Sequence, residues 1–169
     1  IISRKNKIIQ GFADYRKESV LKNKNIDLVD GFANFISKNS IKVGSKTITG
    51  KYFLISTGSS IATPPIPGLE DTGYITSDQA LDLKNLPESM AVLGGGPVAL
   101  ELGYYFHGLG VKVTIIQRSD QILSDNDRDL AKELEVSFQK NGIDVLTNTS
   151  LEKFSKSNKR KKINFKHNN

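Results

Sequence analysis

The chain has 169 residues, a hydrophobic content of 37%, and 24 Lys and Arg against 18 Asp and Glu, a formal net charge of +6. It contains no Cys and only two His, His107 and His167, which excludes disulfides, thiolate zinc sites, a cysteine nucleophile and a histidine-rich metal site within these residues. No apolar run approaches the roughly 20 residues of a membrane-spanning helix, and mean hydropathy is -0.33, so a soluble globular protein with no membrane partner is expected.

The opening "IISRKNKIIQ" lacks a continuous apolar core and a small-residue cleavage site, so it does not read as a signal peptide. It reads as the middle of a helix to about Leu21, with Ile8, Ile9, Phe12, Tyr15 and Val20 spaced among charges. "NIDLVDGFANFIS" alternates and contains Gly31, which predicts a strand with a close backbone approach. "SIKVGSKTITGKYFLISTG" reads as two or three short strands with turns at Gly44 and Gly50. Its last part, "YFLIS", is apolar on both faces and is expected in a buried sheet. "IATPPIPGLEDTG" reads as a linker held extended by Pro64, Pro65 and Pro67. "TSDQALDL" predicts a short helix capped by Thr76 or Ser77.

From Met90 the pattern becomes strand, glycine turn, helix, strand. "MAVL" is the first strand, Val98 to about Gly108 a helix and "VKVTIIQ" the second strand. Asp125 to Asn141 predicts an amphipathic helix with Leu130, Leu134, Val136 and Phe138 apolar, and Gly142 just past its end. "IDVLTN" is a third strand, and "LEKFSK" and "KINFKH" are two weaker ones. The β-α-β-α-β order predicts an α/β fold with a Rossmann-like parallel sheet, preceded by an antiparallel strand segment. The excess charge is local: Lys156, Lys159, Arg160, Lys161, Lys162 and Lys166 lie in a stretch without acids, and the other Lys and Arg balance the 18 acids. A solvated hairpin turn or chain end is expected there, not a nucleic-acid surface.

The stretch "AVLGGGPVALELG" carries the chemistry. Gly94-x-Gly96-x-x-Ala99 fits the dinucleotide fingerprint. Gly94 allows the tight turn, Gly96 lets a pyrophosphate approach the backbone, and Ala99 is small enough for the helix to pack on the strand. The helix start offers free N–H groups and a positive dipole end to phosphates, and Pro97 is tolerated where an N–H would have no intrahelical partner. NAD binders place an acid about 20 residues on, for the ribose 2′-OH. Here that place reads Ile116-Gln117-Arg118-Ser119. Gln is neutral and Arg forms bidentate bonds to phosphate, so the expected cofactor is NADP, with NAD kept open through Asp120 two residues on.

These motifs, in the run "LISTGSSIATPPIPGLEDTGYITSDQALDLKNLPESMAVLGGGPVALELG", resemble the centre of the pyridine nucleotide–disulfide oxidoreductase family, which includes dihydrolipoamide dehydrogenase, glutathione reductase and mercuric reductase. "PPIPGLEDTGYITS" and "GLGVKVTIIQRSDQIL" are most similar to the mercuric reductase branch. The resemblance implies an internal fragment of a longer, cytoplasmic, FAD-dependent enzyme. Residues 1–75 would be the late part of the FAD-binding domain and 76–169 the NAD(P)-binding domain without its C-terminal part. The family's FAD fingerprint, its Cys-x4-Cys pair and its C-terminal dimerisation domain with a His-Glu pair fall outside this sequence, so no catalytic residue is assigned.

By resemblance, the backbone of Ala33 touches the FAD adenine, and Ser56-Thr57-Gly58 matches the Ala-Thr-Gly signature that closes the FAD domain, with Thr57 and Gly58 retained. Gly94, Gly95, Gly96, Pro97, Val98 and Ala99 form the nicotinamide-cofactor turn, and Glu101 is the helix Glu near the nicotinamide. Gln117 and Arg118 lie at the ribose end. Leu151 faces the cofactor adenine through its backbone. Two positions depart from the family: Pro97 stands where some members have a flavin-covering Tyr, and Ser124 where glutathione reductase has a second phosphate-binding Arg. The implied activity is hydride transfer from NADPH to FAD and onward to a disulfide or a metal ion such as Hg(II), in a homodimer. A non-catalytic NADP(H)-binding module is the alternative.

Overall fold

The computed structural model describes residues 1–158 and 160–168. It divides into two compact units, Ile1–Ser60 and Ile61–Asn169. Lys159 of the basic stretch lies outside the described residues.

The first unit opens with helix α1 (Ile2–Lys22), none of whose residues is buried. Its Ile8, Ile9, Phe12 and Tyr15 are exposed, and the i,i+4 pair Lys22–Glu18 at 3.0 Å adds only a small surface contribution. Three antiparallel strands follow: β1 (Ala33–Ser37), β2 (Ser40–Val43) and β3 (Lys46–Thr49). Gly44, at φ 58, turns β2 into β3 through a two-residue loop. Gly31 makes the expected close approach, since a Cβ there would sit 2.7 Å from Cγ1 of Val43.

The expectation for "YFLIS" is not met. Residues 51–60 join no sheet, and Tyr52 and Leu54 are almost fully exposed. A strand apolar on both faces needs a paired neighbour on each edge and cover on each face. Among the described residues nothing supplies them; only Phe53 finds a partner, an edge-to-face contact with Phe35 at 5.1 Å.

The second unit is built on three parallel strands in the order β4 (Ser89–Leu93), β5 (Lys112–Ile116) and β6 (Asp144–Leu146). "VKVTIIQ" lies parallel beside "MAVL", with Val92 opposite Ile115. Helix α4 (Pro97–Gly108) links β4 to β5, and α5 (Arg128–Lys140) links β5 to β6. Their apolar faces close a core of Leu100, Phe106, Val113, Ile115, Ile122, Ala131, Phe138 and Ile143. On α5 the inward stripe is Ala131, Leu134 and Phe138, whereas Leu130 is exposed. Gly142, at φ 87, ends α5 as expected. Gly103 is buried on α4 against Val113 and Ile115 of β5, where an added Cβ would meet ordinary contacts of 3.5 and 3.6 Å.

The proline segment differs from a plain linker. It holds a short helix, α2 (Leu69–Thr72), with Leu69 and Thr72 buried. It packs on the hairpin of β7 (Thr149–Ser157) and β8 (Arg160–His167). The amide of Phe154 donates to the Pro67 carbonyl at 2.8 Å, and the Lys161 ammonium donates to the Gly73 carbonyl. Prolines can hold a segment extended, yet Leu69 still buries when a sheet face is on offer. Thr76 caps α3 (Ser77–Ala80) in a capping box with Gln79.

Two glycines therefore differ sharply. Gly68 has φ 75, and its Cβ would lie 2.2 Å from the Phe154 carbonyl oxygen. Gly68→Ala is expected to destabilise this unit by about 2 kcal/mol or more, through left-handed backbone strain and forced separation from β7. Gly103→Ala should instead be neutral or stabilise by up to about 1 kcal/mol, because it removes a mid-helix glycine without a clash. Urea unfolding midpoints of the two variants check both signs.

Candidate nicotinamide-cofactor site

The glycine turn lies where β4 passes into α4. Gly94 has φ 105, a conformation that L side chains rarely adopt, and its amide donates to the Ile116 carbonyl at 2.8 Å. Gly95 is buried under the loop that follows β5. Its carbonyl accepts from the Leu123 amide at 2.8 Å, and its own amide donates to Oε1 of Gln117 at 3.0 Å. Gly96 is different: it is exposed, and a Cβ there would have nothing within 4 Å. Pro97 takes the first helical position and Gly96 is the N-cap. The amides of Gly96, Val98 and Ala99 have no acceptor in the protein among the described residues. A bare backbone, three free donors and a helix N-terminus form an anion cradle with open space in front of it. The group that suits it is a pyrophosphate, so the residues present fit a dinucleotide. Ala99 is half-buried, and Val98 and Glu101 are exposed on α4.

Arg118 stands at the end of β5 with its side chain exposed and no ion pair among the described residues. Its main-chain neighbours are held on both sides. The Gln117 amide donates to the Leu146 carbonyl at 2.8 Å, the Thr149 amide to the Gln117 carbonyl at 3.0 Å, and the Asn148 amide to the Ser119 carbonyl at 2.8 Å. Leu151, half-buried, follows on β7 opposite Phe165. Asp120 is taken by another partner: its carboxylate accepts from the Arg128 guanidinium, and both side chains are exposed. That hydrogen bond, reinforced by the charge of Arg128, holds the Asp120 carboxyl below the ordinary aspartate value of 3.8.

The structure thus brings together Gly94 to Ala99 and Gln117, and places Arg118 two residues past the end of β5 and Leu151 near the start of β7. It does not bring together the three FAD candidates. Ala33 opens β1, Thr57 and Gly58 lie in the irregular segment 51–60, and all three are exposed with no described contact joining them. These residues alone enclose no flavin. Two clefts, one between Thr63 and Asp71 and one lined by Asn39, Ser40, Thr49, Gly50 and Lys51, hold none of the candidate residues. No group of three metal-binding side chains and no helix long and apolar enough to cross a membrane occurs among the described residues.

Residues 5–169 match the family described as pyridine nucleotide-disulphide oxidoreductase. The chain belongs to this family. It is 40% identical over 133 residues to a mercuric reductase of Staphylococcus aureus, covering 79% of this chain and 24% of that protein. It is 32% identical over 157 residues to the dihydrolipoyl dehydrogenase of Acholeplasma laidlawii, covering 90% and 46%. The HOCl-induced flavoprotein disulfide reductase RclA from Escherichia coli superposes with a TM-score of 0.89 at 32% identity, over 98% of this chain and 39% of that one. The chain spans between about a quarter and under half of the length of these relatives. A pyridine nucleotide–disulfide oxidoreductase with an antiparallel segment and a Rossmann-like β-α-β unit is what the sequence motifs implied.

Sequence reasoning missed four participants in this oxidoreductase turn: Ile122 and Leu123, which close over Gly95, Arg128, which occupies Asp120, and the side chain of Gln117, which serves the turn itself. The apolar pair Ile122-Leu123 inside the polar run "RSDQILSDND" was the available signal.

Two measurements follow from this geometry. Gly96→Ala should change stability by no more than about 1 kcal/mol, the range for an N-cap exchange. It should weaken pyrophosphate binding about tenfold or more in the intact protein by obstructing charge-assisted bonds; titration calorimetry with NADPH separates a ligand site from a ligand-free corner. The second concerns Asp120. A depressed folded-state pKa contributes stability above pH 3.8 that is lost as pH falls through the folded value. An NMR titration should place the Asp120 midpoint below the ordinary range, and Arg128→Ala should return it there.

Proposed function

We propose that this chain is an internal part of a cytoplasmic, FAD-dependent NAD(P)H oxidoreductase that prefers NADPH. In this reading residues 1–75 belong to the FAD-binding domain and 76–169 to the NAD(P)-binding domain. The intact protein, a homodimer, moves electrons from NADPH by way of FAD to a disulfide or a metal ion of the Hg(II) class. Family membership along nearly the whole chain supports this over a non-catalytic NADP(H)-binding module.

The observation that carries the cofactor preference is Arg118. It is an exposed guanidinium, unpaired among the described residues, one residue after Gln117, and the Gln117 side chain touches the turn through the Gly95 amide. The Gly96, Val98 and Ala99 amides bind the pyrophosphate, and the α4 dipole adds to the attraction. Gln117 carries no charge that would repel a 2′-phosphate, and Arg118 meets that phosphate with bidentate bonds. Asp120, engaged by Arg128, is not available to a ribose hydroxyl unless that pair breaks. Glu101 orients the nicotinamide end from the exposed face of α4. Bound NADPH supplies the hydride; the protein supplies position and charge.

An Arg–phosphate contact of this kind contributes about 1.5–3 kcal/mol, roughly ten- to hundredfold in affinity. In the intact protein, Arg118→Ala should weaken NADPH by that factor and leave NADH nearly unchanged. Gln117→Glu should shift preference toward NADH by repelling the 2′-phosphate. Equal losses for both cofactors in Arg118→Ala, or a wild type that binds them equally, would overturn the assignment. Ionic strength must be fixed, since salt screens the contact.

A further inference from the structure

Thr149 is almost fully buried, 1% exposed, at the start of β7, although it is polar. Its hydroxyl has two partners: the Thr147 carbonyl at 2.8 Å and Nδ1 of His167, at the end of β8, at 2.7 Å. A carbonyl only accepts, so the hydroxyl proton goes to Thr147. The oxygen must then accept from His167, which fixes the ring proton on Nδ1. Nε2 is left as an acceptor, and Nδ2 of Asn168 lies 2.9 Å from it. The Asn168 amide in turn donates to the Asn148 carbonyl at 3.1 Å.

Asn148 and Thr149 are the two residues whose amides hold the main chain on either side of Arg118, at Ser119 and Gln117. Asn148 has φ 48, a left-handed conformation that needs its neighbours to hold it. The end of β8 therefore closes a circuit of hydrogen bonds around Arg118.

We propose that Thr149 and His167 are positioning residues for Arg118: they lock the junction between β6 and β7 against the segment 117–119, and thereby set discrimination between NADPH and NADH without touching either cofactor. This inference rests on the assignment of Arg118 to the 2′-phosphate. A guanidinium on a fixed main chain meets a phosphate with less ordering on binding than one on a mobile loop. Loosening the junction thus weakens the phosphorylated cofactor and spares the other.

The test uses the full-length protein, with dissociation constants for NADPH and NADH at one ionic strength. His167→Ala and Thr149→Val should each weaken NADPH by about three- to tenfold, the scale of one lost hydrogen bond, with NADH within about twofold of wild type. His167→Asn, which can return an N–H near the Nδ1 position, should recover most of the loss. In an Arg118→Ala background, His167→Ala should have no further effect, because the latch acts through that residue. Amide hydrogen exchange at Gln117, Asn148 and Thr149 should accelerate in His167→Ala while the β4–β5 amides stay protected. Unchanged exchange and unchanged NADPH binding in both single variants would refute the latch even where Arg118→Ala abolishes the preference. Parallel weakening of both cofactors, or an additive double variant, would show a general structural role and also refute it. If Arg118→Ala has no selective effect, the assignment of the phosphate fails and the specificity role with it, while the exchange data still report whether the junction is latched.

Discussion

Gly95 leaves a β-carbon little room. Ile122 Cγ2 would lie 3.0 Å from it, Ile122 Cα 3.2 Å and Gln117 Cδ 3.3 Å. Because the residue is bare, the loop after β5 folds back onto the turn and buries Ile122 completely in the core. Both main-chain groups of Gly95 are then committed to the protein, its carbonyl to Leu123 and its amide to Gln117. The three glycines are therefore not interchangeable. Gly94 supplies the left-handed turn, Gly95 the contact with the sheet's next loop, and Gly96 the open face. A glycine run between strand and helix reads as one motif, yet each position answers a different steric demand.

The electrostatics of the strand end follow from the same folding-back. The loop that covers Gly95 carries Asp120 to Arg128 at the start of α5. That pairing removes the one carboxylate that sits close in sequence to Arg118. An exposed pair of this kind adds little stability. Its consequence is local charge: the 2′-phosphate reader proposed here has no acidic competitor two residues away. Gln117, neutral and turned toward Gly95, adds no competitor either. A Glu or Asp free to face solvent at those positions would attract Arg118 and repel a phosphate together.

Much of this was legible in the sequence, and what was not has a physical pattern. The parallel unit was readable because its apolar patterns are strong: β5 buries Val113, Ile115 and Ile116, and α5 repeats an apolar stripe ended by Gly142. The capping box at Thr76 and the turn at Gly44 were readable because they depend on neighbours in sequence. Three expectations needed long-range information instead. "YFLIS" has the composition of a buried strand, but a strand exists only where another pairs with it. The segment 61–73 has the prolines of a linker, but the face of β7 gives Leu69 a place to bury. Gln117 was read by its charge, and its geometry depends on Gly95, 22 residues earlier. Of the candidate site, the residues were identifiable and their hydrogen-bond partners were not.

Affinity for a doubly charged group depends on how far the donors are fixed before it arrives. The two halves of the candidate site solve this differently. At the pyrophosphate end, the amides of Gly96, Val98 and Ala99 are fixed by helix α4 itself, a local device. At the 2′ end, Arg118 lies on no regular element and would be free to wander with the loop. Its main-chain neighbours Gln117 and Ser119 are held by residues 146, 148 and 149, which no local rule connects to it. The hairpin β7–β8, which carries Thr149 and His167, also receives the buried Leu69 and the Pro67 carbonyl from the far end of the unit. One hairpin therefore supports the proline segment and the segment of Arg118 alike. In the proposed reading, a local turn would hold the part of a dinucleotide that every such cofactor shares, and distant strands would hold the part that distinguishes one from another. Changes in cofactor choice can then arise in β7 and β8 without disturbing the glycine turn.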